Sequence, residues 1–198
     1  MAAIRCRETE ASNTPAVIKL LTKGFSSERS HEYWAHVITT LSAHPPPSGL
    51  PRYGYLLKSA GISVGVVLTI FSAVPIGESV NVRCNLSSCF VDPDFRSYAP
   101  LPAMRASRHK CVTYSNLSPA AHTWSILESR WFQTFATGLF IAVPILSDSV
   151  PRAHVHAVTT SGAPAGNLPP AEIQLLLDYA KYGCLSLVCQ FDGENTVL

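Results

Sequence analysis

The stretch "VDPDFRSYAPL" (91–101) decides the fold. It follows the strand-like run "VNVRCNLSSCFV" (80–91) and leads into "YAPLPAMRASRH" (98–109), a short helix whose prolines are confined to its first turn. Where a strand turns directly into a helix, the free N–H groups at the helix start can bind an anion, and small residues let the backbone approach it. The stretch therefore predicts an anion-binding turn that begins near Arg96.

Strand and helix patterns alternate on both sides of this turn. Before it we predict a strand at 4–9, helices at 12–25 and 26–44, and a hairpin of strands at 52–59 and 64–74. After it we predict a strand at 110–117, a helix at 118–132 and a strand at 135–146. A helical crossover joins the strands that end at Val91 and near Ser115, so these two should lie parallel. The order predicts an α/β fold.

The sequence changes character beyond Ser147. We predict a domain over 1–147, a Ser-, Pro- and Gly-rich linker or irregular loop over 148–170, and a helix–strand extension over 171–198. A helix and a strand alone cannot form a stable domain. The extension therefore either packs on the first domain or begins a second, similar unit.

Composition excludes several classes of protein. With 198 residues, 47% of them hydrophobic, the chain can bury one substantial core. Charged residues make up only 14%, which favours a partner surface or a missing neighbouring domain, and a second copy of the chain is one such partner. A net charge of +2 without any Lys/Arg run argues against nucleic-acid binding. The sequence shows neither a signal peptide nor an apolar run of membrane-spanning length, so we expect a cytoplasmic protein.

The cysteines and histidines do not predict a metal site. Six cysteines occur without any Cys-x-x-Cys pair, so we expect free, buried thiols rather than structural zinc. In "HVH", His154 and His156 would share one face of a strand, but no third ligand is close in sequence.

The element order around the turn resembles that of the GNAT superfamily of CoA-dependent N-acyltransferases, over roughly residues 4–146. The resemblance is carried by "VDPDFRSYAPL", by "TYSNLSP" (113–119) and by "SRWF" (129–132) at the end of a helix. It implies a mixed, twisted sheet with helices on both faces. It also implies that the turn wraps the pyrophosphate of CoA and that two parallel strands part to admit the pantetheine arm.

Carried over by position, the resemblance implies a set of residues that bind acetyl-CoA or another acyl-CoA. These are Cys89, Phe90, Val91, Arg96, Ser97, Tyr98, Ala99, Leu101, Asn116 and Ser118. The chain departs from the family at the turn, because Ala99 and Leu101 replace motif glycines and two prolines remove N–H donors. The loop can still present the amides of residues 97, 98, 99 and 101.

The catalytic residues are less well marked. The family's acid is a tyrosine in the helix before "SRWF", and the matching position holds Leu127. No Asp or Glu in "VNVRCNLSSC" (80–89) can act as the base. His122, Tyr114 and Tyr98 are the main candidates for the missing acid and base, and Ser88 could also border the gap. His122 has a side chain whose ordinary pKa suits a base near neutral pH. Cys89 could act as a nucleophile.

The resemblance implies direct transfer of an acyl group, by default acetyl, from CoA to an amine acceptor. The helix "SHEYWAHVITTL" (30–41) and the loop "HPPPSGLP" (44–51) would border the acceptor. Their aromatic residues and scarce charge suggest a neutral or apolar acceptor, and packing of Tyr33 and Trp34 in the core explains them equally well. Two alternatives stay open. The chain could be a non-catalytic CoA-binding or protein-interaction module, or one half of a tandem acyltransferase.

Overall fold

The computed structural model describes residues 3–130, 132–136, 154–162, 168–191 and 194–197. The chain forms two compact units, residues 1–135 and residues 136–198. The strand predicted at 135–146 lies outside the described residues beyond Ala136. No helix among the described residues is long and apolar enough to cross a membrane.

The first unit contains five strands and four α-helices among its described residues. The strands are β1 (Ile4–Glu8), β2 (Tyr55–Ser59), β3 (Ile62–Ile76), β4 (Ser79–Val91) and β5 (Val112–Ser115). The helices are α1 (Thr14–Gly24), α2 (His31–Ala43), α3 (Pro100–Ala106) and α4 (Trp124–Glu128). Short 3-10 helices cover Ala11–Asn13, Pro93–Tyr98 and Ala121–Thr123.

The strands form one mixed sheet in the order β1-β2-β3-β4-β5. Neighbouring strands from β1 to β4 are antiparallel, whereas β4 and β5 pair in parallel, which confirms the predicted crossover. The predicted strands at 64–74 and 80–91 leave the polar segment "PIGES" (75–79) between them as a loop, and this loop is shorter than predicted. Gly77 has a φ of +58°, which allows a two-residue turn between the strands. As a result β3 extends to Ile76 and β4 begins at Ser79.

Helices α1 and α2 cover one face of the sheet. Helix α1 buries apolar residues at helical spacing, Val17, Leu20 and Leu21, and α2 buries Trp34. They pack against β2 and β3. Helix α2 begins at His31 rather than at the predicted residue 26, because the Ser30 side chain caps it by accepting a hydrogen bond from the Tyr33 amide at 3.2 Å.

Helix α3 covers the opposite face. Ala106 is fully buried and packs in a cluster with Tyr55, Val67, Cys84 and Leu86 from β2, β3 and β4. Helices therefore flank both faces of the sheet, which confirms the predicted architecture.

The parallel pairing of β4 with β5 is short. It runs from Val82–Val112 to Asn85–Ser115 and stops there, while β4 continues to Val91. Beyond this stop, between the pairs Leu68–Ser87 and Val66–Phe90, the register between β3 and β4 shifts, and Ser88 adopts a φ of +48°. Beyond Asn85, no other described strand pairs with β4 on its β5 side. The two strands thus part, and β4 presents an unpaired edge.

The second unit is a smaller α/β arrangement. Strands β6 (His154–Val158), β7 (Ser186–Phe191) and β8 (Glu194–Val197) form an antiparallel sheet, with helix α5 (Pro170–Lys181). Val158, Leu176 and Val188 form its buried cluster. Residues 154–158, within the predicted linker, form a strand. A role of this unit as the start of a second copy stays a prediction.

The last residue of α1 makes a close contact that tests this packing. A Cβ added at Gly24 would collide with Cβ, Cγ and Cδ2 of Phe90 on β4. Cβ and Cγ of Phe90 lie next to the backbone and cannot move far without shifting β4. Gly24→Ala should therefore lower the free energy of unfolding by about 1–3 kcal/mol in urea denaturation. In a Phe90→Ala background the same change should cost much less. An equal loss in both backgrounds would show that the obstacle is not Phe90.

Candidate functional site

Two cavities lie on either side of the point where β4 leaves β5. The first has a volume of about 520 Å³ and the second about 620 Å³. Both are lined by Leu86 and Cys89 on β4, by Asn116 directly after β5, and by Thr123. The cavities therefore adjoin at the place where the strands part, and we call these four residues the junction.

The first cavity lies beside the turn that follows β4. It is lined by Val67, Leu86, Cys89, Val91, Arg96, Ala99, Ala103, Asn116, Thr123, Ile126 and Leu127. Five residues predicted to bind CoA thus come together: Cys89, Val91, Arg96, Ala99 and Asn116.

The other predicted CoA-binding residues lie elsewhere. Phe90 packs against the cluster beneath α1 and α2, and Ser118 lines the second cavity. Ser97, Tyr98 and Leu101 do not line the first cavity. The first cavity is also lined by residues that were not predicted, because apolar and small residues on separate elements carry no motif: Val67, Leu86, Ala103, Thr123 and Ile126.

The turn itself differs from the expected open loop. Residues Pro93–Tyr98 form a 3-10 helix, in which amides bond to carbonyls three residues back. At its end the Ala99 amide, which we expected to be free, donates to the Arg96 carbonyl at 3.0 Å. Pro100 and Pro102 in α3 have no N–H, and α3 is only seven residues long. The turn therefore offers few free amides, which leaves the Arg96 side chain as its main group for an anion.

The start of the turn is fixed to the rest of the unit at Asp92. Its amide donates to the Val64 carbonyl at 2.8 Å, and its carboxylate lies 2.6 Å from Nζ of Lys23 near the end of α1. The exposed lysine makes this ion pair weak in free energy. Its effect is positional, because it ties α1 to the residue that opens the turn.

The three catalytic candidates are dispersed. The Tyr114 hydroxyl accepts a hydrogen bond from the His109 amide at 3.1 Å and donates to the His109 carbonyl at 3.3 Å, and burial raises the pKa of Tyr114 to about 12. Tyr114 lines neither adjoining cavity, and neither does Tyr98. The backbone of His122 lies in a 3-10 helix, but its side chain is outside the described part of the structure. Leu127, by contrast, does line the first cavity.

Cys89 is the thiol at the junction. Its side chain is exposed to the cavities, yet desolvation by the surrounding protein raises its pKa to about 11. All six cysteines are free, but only Cys84 is buried, so the expectation of buried thiols is wrong for Cys89, Cys111 and Cys184, which are exposed. No group of three or more metal-ligating side chains occurs among the described residues, His154 and His156 included.

The second cavity lies between the α1–α2 connection and β3 and β4. Tyr33, Trp34 and Val37 of α2 line it, where the acceptor was expected, but the described loop at 44–51 does not. Its wall also holds Glu28 and Arg29, which were not predicted as site residues because they belong to no motif.

Comparison by sequence finds no relatives: no protein-family model matches the chain, and no curated protein is significantly similar to it. Comparison of structures, by contrast, finds proteins of similar fold. An acetyltransferase from Trypanosoma brucei superposes with a TM-score of 0.51 at 15% identity, over 71% of this chain and 100% of that one. The aminoglycoside 6'-N-acetyltransferase AAC(6')-IG from Acinetobacter haemolyticus gives 0.51 at 13% identity, over 70% and 97%.

A third match is AAC(6')-Iy in complex with a bisubstrate analogue of CoA and acetylneamine, with a TM-score of 0.52 at 11% identity, over 72% of this chain and 99% of that one. At these identities the likeness establishes the fold. Together with the mixed sheet, the crossover through α3 and the parting of β4 from β5, it shows that this chain has the fold of the GNAT acetyltransferases.

Proposed function

We propose that the protein transfers an acyl group, by default acetyl, from acyl-CoA to an amine. The observation that carries this proposal is the meeting of two cavities at the unpaired edge of β4. An extended pantetheine arm can add to such an edge as an extra strand does, through backbone hydrogen bonds near Cys89 and Val91. The thioester would then lie at the junction, and an amine in the second cavity could reach it. The conjugate of both substrates bound by AAC(6')-Iy supports this geometry by analogy.

In this proposal Arg96 holds the pyrophosphate of CoA. Its guanidinium is exposed at the wall of the first cavity and forms no ion pair within the described structure. Charge-assisted bonds from a guanidinium fork to phosphate oxygens are strong and directional. Arg96 would thereby replace donors that the glycine-free turn lacks. A backbone N–H near Phe90 or Val91 would stabilise the oxyanion of the tetrahedral intermediate.

Glu28 is the group best placed to remove the proton of the amine. Among the described residues it is the only carboxylate that lines either cavity. Aminolysis needs a neutral amine, and a carboxylate can accept its proton directly or through a water.

We propose direct attack rather than an acyl-enzyme. The raised pKa of Cys89 keeps its thiol protonated at neutral pH, and the thiolate is the nucleophilic form.

A second function, as a non-catalytic CoA-binding or interaction module, is favoured by one observation. Leu127 lines the first cavity at the position where the family resemblance implies an acid, so no proton donor stands there for the leaving thiolate. Release of the CoA thiol from acetyl-CoA in the presence of a panel of amines separates the two functions. Binding of acetyl-CoA without turnover of any amine would favour the module.

Arg96→Ala should weaken binding of acetyl-CoA by about 10- to 100-fold, since a charge-assisted hydrogen bond contributes roughly 1.5–3 kcal/mol. Calorimetric titration measures this loss. Arg108→Ala, an equal loss of charge at an exposed residue beyond α3, serves as the matched control and should bind normally. Equal affinities of all three proteins would remove Arg96 from the site.

Glu28→Gln should lower kcat for the best amine of the panel by about 100-fold, the lower range for loss of a positioned base, with little change in acetyl-CoA affinity. Steady-state kinetics of thiol release measure the effect. Glu78→Gln, in the exposed β3–β4 turn, is the control. If Glu28→Gln retained the full kcat, the proton of the amine would go to another acceptor.

Cys89 should be alkylated by iodoacetamide at pH 8 at least about tenfold more slowly than Cys111, because a pKa of about 11 leaves little thiolate at that pH. The rate at Cys89 should still be rising above pH 10. Mass spectrometry of the alkylated peptides follows both sites in one sample. A rate at Cys89 that levels off below pH 9 would instead indicate an activated nucleophile and an acyl-enzyme route.

A further inference from the structure

Arg29 is held in the wall of the second cavity by three aromatic rings. Its guanidinium carbon lies 5.8 Å from the ring centroid of Phe25, 5.2 Å from that of Tyr33 and 5.5 Å from that of Trp34. Such cation–π contacts fix a planar guanidinium without neutralising it. No carboxylate in the described part of the chain forms an ion pair with Arg29, although Glu28 is its neighbour. The wall thus carries a positioned cation that has no ion-pair partner among the described residues.

Trp34 adds an unsatisfied donor beside this cation. Its side chain is only 1% exposed, and its Nε1 has no hydrogen-bond partner among the described residues. A buried N–H without an acceptor costs about 1–3 kcal/mol, so native proteins usually satisfy it. Arg29 and Trp34 line the same cavity and are in ring contact. Because Nε1 itself is inaccessible to solvent, one oxyanion could accept hydrogen bonds from both only after a small shift of the Trp34 ring.

The same cavity also holds hydrogen-bond acceptors and a negative charge. Asn85 lines it, and Oδ1 of Asn85 is a buried acceptor with no partner in the described structure. Glu28 adds a negative charge to the wall. Both groups suit an amine or ammonium, whose N–H bonds need acceptors. Asn85 is the last β4 residue paired with β5, so this end of the cavity lies next to the junction.

From these groups we propose that the second cavity takes an amine that also carries a carboxylate on an apolar body. The carboxylate binds Arg29 and Trp34, the amine faces Asn85 and Glu28, and the body packs on apolar wall residues such as Val37, Leu68 and Ile70. A planar carboxylate matches the guanidinium fork with two parallel bonds. The amine end rests on the proposed acyl transfer, whereas the carboxylate end does not. This acceptor would be charged, unlike the neutral or apolar one suggested by residues 30–41 and 44–51, which stays a prediction.

The carboxylate site can be tested without turnover. N-acetyl-L-phenylalanine and its amide, N-acetyl-L-phenylalaninamide, differ in that one group, and calorimetry can compare their binding to the full chain in the absence of CoA. We expect the acid to bind at least about tenfold more tightly than the amide, as for one charged hydrogen-bonded pair. Equal affinities, or no binding of the acid at millimolar concentration, would overturn the inference.

Variants locate the effect. Arg29→Gln should abolish the preference for the acid, and Arg29→Lys should retain part of it because a point charge remains without the fork. Lys19→Gln, the same change of charge at an exposed residue of α1, should leave it intact. A preference that survives in Arg29→Gln would also overturn the inference. The comparison of acid with amide on the unaltered protein stands even if Arg29→Gln fails to fold.

Titration of acetyl-CoA into the same preparation separates the two proposals. If acetyl-CoA binds and amines are acetylated, but the acid and the amide bind equally, the inference fails and the proposed function stands. If the acid is preferred while acetyl-CoA does not bind, the carboxylate site stands and the proposed function fails.

Discussion

The constraint on which the site depends is the early end of the pairing between β4 and β5. Both strands are held in parallel by the crossover through α3, yet the ladder stops at Asn85 and Ser115 because the chain leaves β5 there. Strand β4 continues, fixed on its other side by β3 and bent at Ser88. An unpaired edge inside a rigid sheet, rather than any single side chain, creates the two adjoining cavities.

The glycine-free turn changes how such an edge can hold a cofactor. Without glycine the chain after β4 winds into a 3-10 helix and uses the Ala99 amide internally. In the proposed complex with CoA, recognition would shift from backbone amides to the side chain of Arg96, which is longer and less preorganised. On the other side of the edge, Arg29 is preorganised by aromatic rings. The proposed acceptor side is therefore more sharply defined than the proposed donor side.

Sequence patterns predicted the sheet and its flanking helices because both rest on local periodicity. Alternation in β4 and the helical spacing of Val17, Leu20 and Leu21 place apolar groups on one face of each element. Prolines in the first turn mark the start of α3. The predicted ends of helices and strands were less accurate where a single residue sets the boundary. Ser30 delays α2, and Gly77 shortens the loop between β3 and β4 to two residues.

The sequence by itself determined the order of elements, the parallel crossover and the position of Arg96 after the central strand. It did not determine which side chains share a cavity, because that depends on where β4 parts from β5. Glu28 and Arg29, in the connection between α1 and α2, are far along the chain from Asn85, and none of the three belongs to a motif. Only the packing of α1 and α2 on the sheet brings them into one wall. Periodicity is a local property of the chain, whereas a binding cavity is set by contacts between distant segments.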